Sequence, residues 1–240
     1  MTSKKNTKGF SLVELAIVVV IIGLIVAGVT AGQELVKQAK HRAVLSEVNK
    51  FRSAFKLFRS KYNALPGDMP NAYDYWGANC DATPSNCNGD GNRVLGDGSG
   101  NDSEGYRAWQ HLTLSGILPG TFTGTATGTN CVLDVNTYAG AIASSGYYFS
   151  STMPSTVWVS ATSAALGKCV GTGVPNTALL VPQDAYHLDL KSDDGLPNAG
   201  ATMSHGGLSA SGACNGIASN TDPYTLSNTG IACYTFFSLE

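Results

Sequence analysis

Gly9-Phe10-Ser11-Leu12-Val13-Glu14 runs directly into LAIVVVIIGLIVAGVTAG, residues 15–32, and the reading of this stretch decides the fold. From Phe10 to Ala31 the one charged side chain is Glu14. As a helix these 22 residues rise about 33 Å, the thickness of a bilayer's hydrocarbon core. A carboxylate near one end of such a segment is costly in lipid and calls for a partner. Lys4, Lys5 and Lys8 sit just before the apolar run, divided from it by the Gly9-Phe10 step.

This arrangement resembles the start of a type IV prepilin. In that family a short basic leader ends in Gly, the next residue, usually Phe, becomes N-methylated, and a Glu stands four residues after it inside an apolar helix. Gly9, Phe10 and Glu14 stand in that register. The resemblance covers the leader and the first helix, about a quarter of the chain. It implies cleavage by a prepilin peptidase between Gly9 and Phe10, then methylation of the new amine. Most secretory signals are cut after their apolar region and lose it. A cut before it leaves the apolar helix on the mature protein, which then needs lipid or other copies of itself. Paired between neighbouring subunits in a low-dielectric core, the Phe10 amine and the Glu14 carboxylate relieve each other's desolvation and fix register.

Composition bounds the remainder of the chain. The protein has 240 residues, 43 % hydrophobic and 13 % charged, with 28 glycines, which suits short strands and many turns in a lightly charged body. Charge is unevenly spread. Glu34 to Tyr62 holds eight Lys or Arg against two acids, whereas Asn63 to Glu240 holds four against fourteen. A basic stem and an acidic body can attract one another between subunits, or each can simply face water.

From Phe10 the helix is expected to continue to Tyr62, about 80 Å in all. Val44, Val48, Phe51, Phe55, Phe58 and Tyr62 recur at steps of four and three, an apolar stripe with Lys50, Arg52, Lys56 and Arg59 off it. No proline precedes Pro66; many major pilins carry one in this helix, so its lack leaves room for pseudopilins and minor pilins. Gly23, Gly28 and Gly32 are the weak points. Pro66-Gly67-Asp68 ends the helix. Residues 79–102, rich in Asn, Asp and Gly, are expected to be loop. Further helices are expected over Ser103–Ser115 and Pro182–Ser192, strands at Tyr147–Phe149 and Val157–Val159, and after the last helix loops around one closing strand, Ala232–Ser238. The boundaries are 1–9 leader, 10–33 membrane or filament-core helix, 34–62 its amphipathic continuation, and 63–240 globular head.

The six cysteines, Cys80, Cys87, Cys131, Cys169, Cys214 and Cys233, contain no C-x-x-C pair. In an exported domain they suggest three disulfides, with fifteen possible pairings. Pairing of nearest neighbours in sequence is the expectation, and a bridge near the C-terminus such as Cys214–Cys233 fits a habit of the pilin family. Asn86, Asn88, Asp90, Gly91 and Asp97 fall at positions 1, 3, 5, 6 and 12 of a calcium-loop spacing, with Asn for Asp at the first and Asp for Glu at the last. Asp97, Ser99, Asn101, Asp102 and Glu104 form a second run of oxygen ligands, and Asp193-Asp194, with Asp189, a third. The alternative is that these are turns in which Asn, Asp and Gly serve the backbone. Calcium is the one candidate ligand, and no cofactor is required.

No zinc-protease spacing, G-x-S-x-G elbow or phosphate-binding loop occurs, so an enzyme is not expected. The fold class expected is α+β: a long N-terminal helix packed on a disulfide-stabilised head with an antiparallel sheet. Three functions are compatible with that architecture. The first is a subunit of a type IV pilus-like filament, held single-pass in the bacterial inner membrane and then in a surface filament. The second is a pseudopilin of type II secretion, in the periplasm. The third is an anchored binding domain that never polymerises. Expected partners are further copies, prepilin peptidase, an inner-membrane assembly platform, other minor pilins or pseudopilins, and lipid before assembly; nucleic acid is not expected.

Overall fold

The computed structural model describes residues 10–96, 103–125, 131–151, 162–170, 173–206, 213–215 and 222–240. Helix α1 (Leu12–Tyr62) is unbroken, as the lack of proline allows, and Gly23, Gly28 and Gly32 do not interrupt it. The chain divides into two compact units, residues 1–42 and 43–240. The second contains residues 43–62 of α1 together with everything expected of the head, so the first nine residues of the 34–62 segment fall in the first unit.

Within that second unit Val44, Val48, Phe51, Phe55 and Phe58 are buried and Tyr62 half-buried, so the four-and-three stripe is the face that enters the core. Short helices α2 (Ala72–Trp76) and α3 (Pro84–Cys87) come after it, with a single 3-10 turn at Gly77–Asn79 between them. Helix α4 (Ser103–Leu114) is next, then strands β1 (Tyr138–Ala139), β2 (Ser145–Ser150) and β3 (Ser163–Lys168). Helix α5 (Pro182–Ser192), with Pro182 in its first turn, and strands β4 (Thr202–Gly206) and β5 (Cys233–Ser238) complete the described elements.

The five strands form one antiparallel sheet in the order β1-β2-β3-β5-β4. Its registers Tyr147↔Leu166, Phe149↔Ala164 and Ala164↔Phe237 put large and small side chains side by side on the face that meets α1 and α4. Period two sends Ala165, Tyr234 and Phe236 to the other face, where they make a small second cluster. The centre of the main core is aromatic. Phe51 meets Trp109, Tyr138, Tyr147 and Phe149 with ring centroids 4.9–5.9 Å apart, all edge-on. The buried Trp109 indole N–H donates to the Tyr147 carbonyl at 3.1 Å, tying α4 to β2. Gly105 lets α4 come this close, since a Cβ there would collide with the Tyr148 ring.

Tyr62 to Asp68 turns the chain as expected. Asn63 takes a positive φ of 53° just beyond the helix, and Gly67 one of 92°. A Cβ on Gly67 would also land on the Glu104 carbonyl oxygen, so no other residue fits the turn. The disulfides are Cys80–Cys87, Cys131–Cys169 and Cys214–Cys233, the nearest-neighbour pairing, with Cα–Cα distances of 5.6, 5.7 and 5.0 Å.

Two expectations are revised. Residues 79–102 are not all loop, because Pro84–Cys87 forms the helical turn α3, with Pro84 at its start. The segment after α5 holds strand β4 as well as the closing strand; its sequence, Thr-Met-Ser-His-Gly, carries too little apolar alternation to announce it. The expected strand Val157–Val159 lies outside the described residues.

Candidate functional site

At the start of α1 the backbone N–H of Ser11 donates to Glu14 Oε2 at 2.8 Å, and the N–H of Val13 donates to Ser11 Oγ at 3.3 Å. These bonds make a capping box, with Ser11 as N-cap and Glu14 three residues on. The sequence reading gives Glu14 only the role of a buried acid in need of a cation, although the Ser-x-x-Glu signature of the cap stands in the same residues. Glu14 also closes the helix end and adds a negative charge in the first turn, where the helix dipole favours it.

Beyond Glu14 the helix carries an unshielded apolar surface. Phe10 and Leu12 are each 86 % exposed and the side chains of Ile17, Val20, Ile21, Leu24 and Ile25 at least half exposed. The richest 18-residue window of α1 has a mean hydropathy of 3.0 and none of it is buried. By length and composition α1 is fit to cross a membrane. In water a surface of this size would drive association. Phe10 and Glu14 thus stand together at the tip of the apolar run, while Gly9 lies outside the described residues.

The candidate metal ligands separate. Asn88 Oδ1 accepts the Tyr73 N–H at 2.8 Å, and Asn86 Nδ2 donates to Asp81 Oδ1 at 3.1 Å. Asp90 joins Asp68 and Glu104, three carboxylates within 4.8 Å, while the side chains of Asp97, Ser99, Asn101 and Asp102 lie outside the described residues. In this group the carboxylates hold backbone. Asp68 accepts from the N–H groups of Gly91 and Arg93 at 2.7 and 2.8 Å, and Glu104 from Asp90 at 3.1 Å. Burial pushes the pKa of Asp68 and of Glu104 up, and the neighbouring carboxylates add to it. Nothing in the sequence singles out Asp68 as a ligand; only its place in the turn after α1 brings it beside Asp90.

The second acidic group, Asp189, Asp193 and Asp194, has the same character. Buried Asp189 accepts the Tyr224 hydroxyl at 2.8 Å and the Gly195 N–H at 3.2 Å, and burial raises its pKa to about 7. Asp193 accepts the N–H groups of Ala201 and Thr202, and Asp194 that of Leu196. Cys80, Cys87 and His111 also lie close together, but the sulfurs are bridged. His111 Nδ1 accepts from the Gly67 N–H at 2.9 Å and Nε2 lies 2.9 Å from the Cys87 carbonyl. Neither ring nitrogen is left for a ligand. A polar hollow of about 520 Å³ bordered by Arg59, Asn63, Arg93 and Glu240 opens beside the helix end, without a nucleophile–base pair among its lining residues.

Residues 4–30 match the family model described as the prokaryotic N-terminal methylation motif. No curated protein and no solved structure matches the chain. With the motif, the apolar helix and the bridged α+β head described together, the chain bears the type IV prepilin-like signature at the front of a pilin-like fold.

Proposed function

We propose that this protein is a structural subunit of a type IV pilus-like filament. It waits in the bacterial inner membrane through α1, is cut by prepilin peptidase between Gly9 and Phe10, is methylated on the Phe10 amine, and joins a helical polymer through residues 10–33. The observation that carries this reading is the bare apolar surface of α1 with its one carboxylate at the tip. Lipid covers that surface before assembly and neighbouring helices cover it afterwards. The freed amine of one copy is the cation that Glu14 of the next requires. An assembly platform in the inner membrane and other pilins or pseudopilins are the further partners. The role needs no cofactor and no catalysis.

The test is Glu14→Gln expressed in the native cells. The side chain keeps its shape and the capping acceptor but loses its charge. The expected outcome is normal leader removal with polymer in the sheared or crosslinked fraction reduced at least about tenfold, the equivalent of about 1.4 kcal/mol per contact. Polymer at the wild-type level would overturn the pairing of Glu14 with the freed amine, and a wild-type chain that forms no polymer would leave an anchored binding domain. The unbroken α1 favours a pseudopilus as second reading. Electron microscopy separates the two, since long surface filaments belong only to the pilus.

A further inference from the structure

The face of α1 turned away from the core has an unusual make-up. Between Ser46 and Lys61 the exposed side chains, Leu57 apart, are cations and small polar groups, with Lys50, Lys56, Arg59 and Lys61 carrying the charge. The one acid of this segment, Glu47, is turned inward, where it accepts from the Tyr147 hydroxyl at 2.8 Å and the Ala141 N–H at 3.3 Å. The charge left outward is positive throughout, in contrast to the mixed signs of an ordinary solvated helix face. Leu57, 56 % exposed, lies in the middle of it among small polar residues that leave room for close approach.

The acids that could balance this face are in the same unit yet scarcely meet it. From Asn63 onward fourteen acidic residues face four Lys or Arg. Lys50 and Lys61 lie over the rings of Tyr138 and Tyr62, and neither they nor Lys56 pairs with a carboxylate among the described residues. Arg59 reaches Glu240 at 4.0 Å, with both side chains more than half exposed.

We infer that the outward face of α1 from Ser46 to Lys61 is a docking surface for the acidic body of a second copy of this chain. The inference rests on the filament reading, which brings copies together at high local concentration. The charge complementarity is built into one sequence: a face that is only positive and a body that is strongly negative, with the three lysines paired to no carboxylate among the described residues. Its long-range part steers copies toward a head-against-stem orientation, and Leu57 supplies an apolar contact at the centre of the face.

The experiment uses native cells that make two differently tagged copies of the full chain. Their membranes and polymers are treated with a zero-length carbodiimide, and crosslinked peptides are identified by mass spectrometry after capture through one tag and then the other. Links from Lys50, Lys56 or Lys61 of one copy to an Asp or Glu of the other are expected. Their yield should fall several-fold when salt is raised to about 0.5 M during treatment. In the combined variant Lys50→Glu, Lys56→Glu, Lys61→Glu, polymer is expected to drop about tenfold, as three exposed attractions turn to repulsions. The arginine-substituted triple variant should retain it. Copy-to-copy links that never involve these lysines, or reversed chains that polymerise as well as wild type, overturn the inference. So does binding of these lysines to vesicles containing phosphatidylglycerol without links between copies. Glu14→Gln is run alongside. Polymer that depends on Glu14 but ignores the reversal defeats this inference alone, and a wild-type chain that forms no polymer defeats both readings.

Discussion

His111 and Asp189 are buried titratable groups that the fold holds in their neutral forms, with opposite consequences for stability. The Gly67 N–H donates to His111 Nδ1, so the proton sits on Nε2 facing the Cys87 carbonyl; burial lowers the His111 pKa from 6.5 to about 4. The unfolded chain therefore takes up this proton first as pH falls. The contribution of His111 is complete above pH 6.5 and is lost on the way down to about pH 4, about 3 kcal/mol in total. For Asp189 the folded pKa is raised from 3.8 to about 7, so its contribution is complete below pH 3.8 and is lost as pH climbs toward 7. In the wild type the two slopes oppose each other between pH 4 and 6.5. Urea unfolding across pH 4–8 should therefore show that Asp189→Asn exposes a steeper acid-side loss and gains stability relative to wild type at pH 8. His111→Gln should flatten the acid side instead. Unchanged pH profiles in both variants would contradict the assignment. A lone His on an apolar helix face, such as His111, looks ordinary until the chain folds around it, and Asp189 is legible only as one oxygen of an acidic run, not as a carboxyl buried against Tyr224.

At the level of elements, both halves of α1 are legible, the first as a continuous apolar run and the second as a periodic stripe from Val44 to Tyr62, and that stripe is the face that the structure buries. Helix α5 begins and ends where Pro182 and Asp193 place it, and α4 ends at Leu114 against an expected Ser115. The sheet is legible in part. Tyr147-Tyr148-Phe149 and the closing strand stand out by aromatic content, whereas β3 (Ser-Ala-Ala-Leu-Gly-Lys) and β4 are made of small and polar residues whose pairing is decided by their neighbours. In β3 the small side chains are needed, since Ala164 lies between Phe149 and Phe237 across the sheet. The aromatic cluster around Phe51 joins α1, α4 and the sheet, so Phe51→Ala should cost about 3–5 kcal/mol by urea denaturation. A change below about 1 kcal/mol would show that the amphipathic part of α1 is not docked as described. The calcium spacing is readable only as spacing. Folding sends Asn86 and Asn88 to other partners and brings Asp68 and Glu104, distant in sequence, to Asp90.

Across the whole molecule the covalent framework and the N-terminal motif matter most. The disulfides close loops of 38, 19 and 7 residues of separation, so the chain-entropy model ranks their loss at about 4, 3 and 2 kcal/mol. Paired Cys→Ser replacements, compared by thermal unfolding, should keep that order, Cys131–Cys169 first; a uniform loss would point to local packing instead. The N-terminal motif is legible without any structure because it is a short run of fixed spacing, Gly9, Phe10 and Glu14 at the head of one long apolar stretch. The head carries no such motif, and its charge balance of fourteen acids against four cations is what the sequence says of the surface it meets. Intact mass spectrometry of the protein from its native cells tests the central claim most directly. The account predicts a chain that starts at Phe10, carries one added methyl group and has lost six hydrogens to three disulfides. A chain that still starts at Met1 would contradict it.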